Sequence, residues 1–273
     1  MSEPVATTYL GSATVLIESL GLRILTDPVL DAAGTAWQLN KRLASPSLAY
    51  VNQLGAALPV SALPPIDLVL LSHDQHRDNL DRAGLELARR AGQVITTPAG
   101  AQRLVARGLT QVRGLEPGES IEVPIRDGHD GPLRVTATPA RHGRNGTRWI
   151  TGDVIGFMLR HPRWGRTYIT GDTVWFDGLE ALRSSEPLDR MFVHLGAARF
   201  GRGWLRCLHW SMSVQEAVRL TNTLQPRRVV PIHFEGWSHF TEGRAEVARA
   251  FAHAGLADRL VWLPRGERVA QLG

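Results

Sequence analysis

Short apolar runs that end in histidine or aspartate recur along this chain, and they constrain its fold more than any other feature. Asp67-Leu68-Val69-Leu70-Leu71 runs into Ser72-His73-Asp74-Gln75-His76-Arg77-Asp78, and Leu22-Arg23-Ile24-Leu25-Thr26 runs into Asp27-Pro28. The same form returns where Leu133-Arg134-Val135-Thr136-Ala137-Thr138 leads to His142, where Arg166-Thr167-Tyr168-Ile169-Thr170 leads to Asp172, and at His194 and His233. Such runs have the length and β-branched content of strands, and glycine or proline punctuates their ends. Strands that repeatedly end in His or Asp bring those side chains together along one edge. Burying so many imidazoles and carboxylates unpaired is costly, whereas a divalent cation would use them as ligands.

Helical patterns lie between the strands. Leu80, Ala83, Leu87, Ala88 and Ala91 recur at helical spacing up to Gly92, and Pro98 opens a second helix through Val105. A helix is expected around Leu179 to Arg183. Ser213-x-x-Glu216 is a capping box for another, whose apolar face carries Val214, Ala217, Val218 and Leu224. A last helix is expected from about Glu242 to Ala252, followed by a strand at Leu260-Val261-Trp262. Residues 31–65 read as irregular, with Trp37 near a short helix, and long irregular stretches inside a compact domain are often functional loops. No linker or composition shift divides the chain, so residues 1–273 are expected to form one α+β domain of two sheets covered by helices.

Composition narrows the chemistry. Of 273 residues, 43% are hydrophobic and 21% charged, the balance of a soluble globular protein. There is no apolar run near the roughly 18 residues of a membrane span and no secretory pattern at the N-terminus, so a cytoplasmic protein is expected. Cys207 is the only cysteine, which leaves nitrogen and oxygen ligands and excludes zinc-finger and iron–sulfur sites. The net charge of +5 comes almost wholly from arginine, Lys41 being the sole lysine. The arginines are scattered, so the expected partner is a small-molecule substrate rather than nucleic acid or a membrane surface. Pairing of subunits is the default expectation.

The motifs resemble the metallo-β-lactamase-fold hydrolase superfamily, in particular its ascorbate-6-phosphate lactonase-like and N-acyl-phosphatidylethanolamine phospholipase D-like branch. Tyr9 to Glu18 with Leu25-Thr26-Asp27-Pro28 looks like that branch's opening, and Leu70-Leu71-Ser72-His73 looks like the entry to its His-x-His-x-Asp-His signature. Thr138-Pro139-Ala140-Arg141-His142, Thr170-Gly171-Asp172-Thr173 and Val230-Pro231-Ile232-His233 are similar to its later ligand positions. The resemblance implies a four-layer αββα sandwich, with two mixed β-sheets packed face to face and helices on both outer faces. It implies His73 and His142 as ligands of a first ion, Asp78 and His233 of a second, and Asp172 as a bridge. Asp27 would orient a ligand or the water.

The signature is altered. Gln75 stands at its second histidine position, one residue is inserted, and Asn79 replaces its last histidine. His76 keeps the His-x-Asp spacing to Asp78 and is the expected ligand in preference to Gln75. Asn79 offers only an amide oxygen, so the site is expected to hold one or two ions, zinc or a harder ion such as manganese. Trp204, His209, Trp210, Glu235, Trp237, His239 and Phe240 are expected around the mouth. The tryptophans there are as readily core as mouth. His194 and His239 are assigned substrate contact or proton transfer to a leaving group, and Asp78 and Asp172, as ligands, complete the expected catalytic set. Arg141 and Arg199 are candidates for a substrate phosphate or carboxylate or for a plain surface role, and His129, His161 and His253 for ordinary surface or core positions.

The expected function is metal-dependent hydrolysis of a small-molecule lactone, ester or phosphodiester by a metal-bound hydroxide. Two alternatives compete with it. One is a lapsed site that binds a ligand or one metal without hydrolysis, and the other is a lipid or nucleic-acid phosphodiesterase.

Overall fold

The computed structural model describes residues 5–38, 49–126, 131–144, 146–200 and 208–272. The chain begins with a meander of β1 (Ala6–Gly11), β2 (Thr14–Ser19) and β3 (Leu22–Thr26). Leu20 and Gly21 join β2 to β3 with φ of 56° and 69°, the two left-handed residues that a tight hairpin's twist requires. Leucine there costs about 1–2 kcal/mol of backbone strain. Its side chain is 1% exposed in the central core, and burial worth about 1.5–3 kcal/mol offsets that cost.

β3 then pairs in parallel with β6 (Leu68–Leu70), β6 with β7 (Gln93–Thr96), and β7 with β8 (Val112–Gly114). The crossovers are α1 (Arg82–Ala88) and α2 (Pro98–Ala106). With β15 (Arg268–Val269) on β1, the sheet order is β15-β1-β2-β3-β6-β7-β8. The second sheet has the order β14-β13-β12-β11-β10-β9, from β9 (Ser120–Val123), β10 (Leu133–Pro139), β11 (Ile155–His161), β12 (Gly165–Ile169), β13 (Arg190–His194) and β14 (Arg228–Ile232). Its first four strands are antiparallel, and β12, β13 and β14 run parallel.

Alternate residues of one strand enter different cores. Leu68 and Leu70 face the second sheet beside Val135, Phe157 and Phe192, whereas Val69 joins Leu85, Leu87 and Leu104 beneath α1 and α2. On the far side, Met191, Val193 and Val229 pack against α3 (Val214–Leu224) and α4 (Arg244–His253). Both faces of each sheet are thus covered, which is why these strands read as continuous apolar runs. The result is the expected αββα sandwich.

Three local expectations differ. Trp37 lies not in a helix but in β4 (Ala36–Gln38), which pairs with β5 (Ala49–Val51) as a small ribbon. The segment around Leu179 is a 3-10 turn, Asp177–Leu182. Leu260–Trp262 does not extend the sheet beyond a single bridge to Val229. Val261 N–H donates to the Val229 carbonyl at 2.9 Å, but the next bond of a parallel ladder would need an N–H from Pro231, which has none.

The first sheet's active edge is held by α1. Asp81 caps it, accepting from Gly84 N–H at 2.8 Å and Asp31 N–H at 2.6 Å. A Cβ on Gly84 would stand 1.8 Å from the Pro28 carbonyl oxygen. Gly84→Ala is therefore expected to destabilise the protein by about 1–3 kcal/mol, read from urea denaturation midpoints, because backbone rather than a movable side chain must yield.

Candidate metal centre

The C-terminal ends of β3, β6, β10, β12, β13 and β14 meet at one edge of the sandwich. Several residues there adopt left-handed backbone: Asp27 (φ 28°), Gly171 (φ 63°) and His233 (φ 56°). Strain of this kind persists only where surrounding contacts over-determine it. Here His233 N–H donates to the Ser12 carbonyl at 2.6 Å, tying the last strand of one sheet to the first turn of the other. Gly171 has no room for a side chain, since a Cβ would lie 2.5 Å from the Ile155 carbonyl oxygen.

Six buried residues form two triads, His73 with His76 and His142, and Asp78 with Asp172 and His233. In the first, His76 Nδ1 lies 3.0 Å from His73 Nε2 and 2.9 Å from His142 Nε2. Nitrogens sharing a tetrahedral zinc-like ion would stand about 3.3 Å apart. Proton counting sharpens the point. His142 Nδ1 faces the Trp210 carbonyl, which can only accept. His73 Nδ1 lies 3.0 Å from Ser72 Oγ, whose own proton goes to Asp27 Oδ1 at 2.9 Å. Both Nε2 atoms therefore present lone pairs to one Nδ1 that carries at most one proton. A cation resolves that conflict, and the donor set fits one.

Burial, then the neighbouring imidazole of His76, pushes His142 down to about 3, and the same causes put His73 well below its ordinary value. These rings are neutral at neutral pH, the form in which they bind metal. The second triad has the opposite character. Asp78 Oδ2 is 3.3 Å from His233 Nε2, and Asp172 Oδ1 is 3.4 Å from His233 Nδ1. Burial would lower His233, but the carboxylates of Asp172 and Asp78 outweigh it and raise it to about 9. Burial, helped by the carboxylates of Asp78 and Asp27, outweighs the imidazoles of His233 and His194 and raises Asp172 to about 6. Asp78 Oδ1, Asp172 Oδ1 and His233 Nε2 are buried without hydrogen bonds, as donors aimed at an ion would be. Asp172 touches both triads, its Oδ2 lying 3.9 Å from His142 Nε2.

Asp27 sits beneath both. Its Oδ1 also accepts Ser72 N–H at 2.7 Å, and its Oδ2 lies 3.1 Å from His194 Nε2. Burial raises it to about 7. His194, assigned substrate contact or proton transfer from the sequence, has no exposed surface, and its Nδ1 is 3.2 Å from Thr170 Oγ1. With both nitrogens engaged inside the protein, it holds Asp27 instead. His239 does reach the centre, with Nε2 2.9 Å from Asp78 Oδ2.

The other sequence candidates divide. Gln75 turns away, its Oε1 accepting from Asp74 N–H at 3.2 Å while its amide packs on Gly152. Trp210 and Trp237 are buried with Tyr50 and Phe200. His209 pairs with Glu216 at 2.9 Å, and Glu235 with Arg265 at 3.7 Å. Arg141 stacks on Phe176 at 4.4 Å, whereas Arg199 N–H donates to the His239 carbonyl at 3.0 Å. His161 is buried, 3.2 Å from the Gly131 carbonyl. Trp204, His129 and Cys207 lie outside the described residues. Ser72 and Tyr50 were missed: the first is a serine like any other until the fold sets it between His73 and Asp27, and the second falls in the stretch read as irregular. Among the described residues no helix is long and apolar enough to cross a membrane.

A four-layer sandwich carrying at one sheet edge two adjacent His and Asp triads, with Asp172 between them, defines the metallo-β-lactamase class of metal-dependent hydrolases. The profile of the beta-lactamase superfamily domain matches residues 22–234, and the chain belongs to that family. A UPF0173 metal-dependent hydrolase of Pyrococcus furiosus is 25% identical over 85% of this chain and 86% of its own length. Among solved structures, an isothiocyanate hydrolase from Delia radicum gut bacteria superposes with a TM-score of 0.78 at 24% identity, over 97% of this chain and 98% of that one. A metallo hydrolase from Ignicoccus hospitalis does so with a TM-score of 0.70 at 22% identity, over 97% of each chain.

Two predictions follow from the centre's geometry. Asp27→Asn is expected to weaken divalent-ion binding about 10–100-fold by freeing the Ser72–His73 unit, measured by competition with a chromophoric chelator. Between about pH 6, above which Asp172 is ionised, and about pH 9, below which His233 is protonated, ion uptake at the second triad must displace one proton. Its affinity is expected to rise about tenfold per pH unit in that window and then level off, with one proton released per ion in calorimetry run in buffers of different ionisation enthalpy.

Proposed function

We propose that this protein hydrolyses a small-molecule lactone, ester or phosphodiester at a centre of two divalent ions, zinc or manganese. The observation that carries the reading is Asp172, a buried carboxylate with one oxygen toward each triad. His73, His76 and His142 would hold one ion, and Asp78 and His233 the other, with Asp172 common to both. Bound there, the ions supply Lewis acidity and bring the ionisation of a water toward neutral pH. The chain's own part is to fix the imidazoles through the Trp210 carbonyl and the Ser72–Asp27 pair, so that their Nε2 atoms face inward. A cavity of about 480 Å³ opens beside His142 and is bounded by Arg141 and Arg144. Two guanidinium groups beside the first triad favour a substrate with a carboxylate or phosphate, which arginine can grip with two parallel hydrogen bonds.

The competing reading, a centre that keeps ions without turnover, draws on Asn79, whose amide oxygen and nitrogen are buried without partners. The two separate in one experiment. Protein stripped with a chelator and reconstituted with zinc or manganese should hydrolyse members of a panel of anionic lactones, esters and phosphodiesters. Asp172→Ala should lower turnover by more than about 100-fold, beyond the usual loss for a supporting partner alone. Turnover that survives Asp172→Ala, or protein that takes up ions and hydrolyses nothing in the panel, overturns the proposal.

A further inference from the structure

The second triad is short of nitrogen. Where the resemblance expects a last signature histidine, the loop after β6 carries Asn79, fully buried and with neither amide atom hydrogen-bonded. A neutral amide oxygen is a poor donor to a zinc-like ion compared with imidazole. Six residues beyond His233, the loop after β14 sends His239 to the same carboxylate. Its Nε2 stands 2.9 Å from Asp78 Oδ2, the oxygen that is also 3.3 Å from His233 Nε2. One carboxylate oxygen thus has an imidazole nitrogen on either hand, each at a separation near the roughly 3–3.5 Å of ligands sharing one ion.

Resting on the two-ion reading above, we propose that His239 is a ligand of the second ion, supplying from the loop after β14 the imidazole that Asn79 removes from the loop after β6.

The surroundings of the ring support this role. Phe200 stacks on it at 4.7 Å and 19°, and Tyr50 and Phe240 close on it at 4.6 Å and 4.5 Å. His239 is 5% exposed and enclosed by these aromatic rings, the preorganisation a ligand needs. Its other nitrogen, Nδ1, is buried without a hydrogen-bond partner. A proton relay would need a group there to exchange with, as His73 has in Ser72. Asn79 and His239 then form one exchange: an imidazole lost from one loop and regained from another, beside the same aspartate.

The test uses full-length protein stripped of metal and titrated with Co²⁺, whose visible spectrum reports donor type and coordination number. Wild-type protein should take up two equivalents. In His239→Ala and His239→Gln the first equivalent, held by His73, His76 and His142, should bind as before and report that the variant is folded. The second should weaken by more than about 100-fold, the upper limit for loss of a hydrogen-bonding partner, and its visible bands should change. Glutamine keeps an N–H donor toward Asp78, so it separates a ligand from a residue that merely orients the aspartate. If the glutamine variant binds the second Co²⁺ with wild-type affinity and spectrum, the inference is overturned and the two-ion reading stands. Wild-type protein that binds a single equivalent overturns both. Should the alanine variant fail to fold, the glutamine variant alone decides.

Discussion

Nine buried ionisable side chains at one sheet edge (Asp27, His73, His76, Asp78, His142, Asp172, His194, His233 and His239) cannot be neutralised by one another, and much of this structure is arranged around that constraint. His73, His76 and His142 present more lone pairs than protons, while Asp78 and Asp172 bring more negative charge than His233 can answer. A medium of low dielectric makes both imbalances expensive. They are complementary only to a cation, which would meet the imidazole lone pairs and the carboxylate charge together. The hydrophobic layers above and below supply the stability that lets such a cluster persist, since helices cover both outer faces and a single apolar core fills the space between the sheets.

Position within the cluster comes from backbone strain and from one buried hinge of hydrogen bonds. Asp27 and His233 accept left-handed conformations at the ends of their strands, where each turns its side chain across the edge. Asp27 then grips Ser72, and Ser72 grips His73, so that β3 orients a ligand borne by β6. His194 holds the same aspartate from the second sheet. A residue named in the sequence as a candidate for the chemistry is in this way part of the support. The distinction rests on burial and on engagement of both ring nitrogens, neither of which has a linear signature.

The fold was legible because its strands carry a strong local signal. Apolar runs of strand length, broken by glycine and proline and alternating with helical periodicity, dictate layered sheets whatever their order. At Leu260–Trp262 local pattern failed because of a single distant residue, the ladder stopping for want of an N–H at Pro231. The six members of the triads were legible for a related reason: each lies just past such a run, and strand ends in a covered sheet have one edge to share. His76 rather than Gln75 was the harder choice. The structure places His76 between the two Nε2 atoms and folds Gln75 back onto the Asp74 N–H and Gly152.

By itself the sequence determined the strands and helices, the kinds of atom available to a metal, and the side chains that could reach one edge, because these depend on periodicity and residue chemistry over a few neighbours. Only the tertiary structure decided which nitrogen of each histidine is free, that Asp172 lies between two triads, and that His239 stands beside Asp78. Those are matters of contact between segments far apart in the chain, Asp78 and His239 by 161 residues. Spacing along the chain carries no record of them, since they arise when two sheets close on one core and bring their strand ends to a common edge.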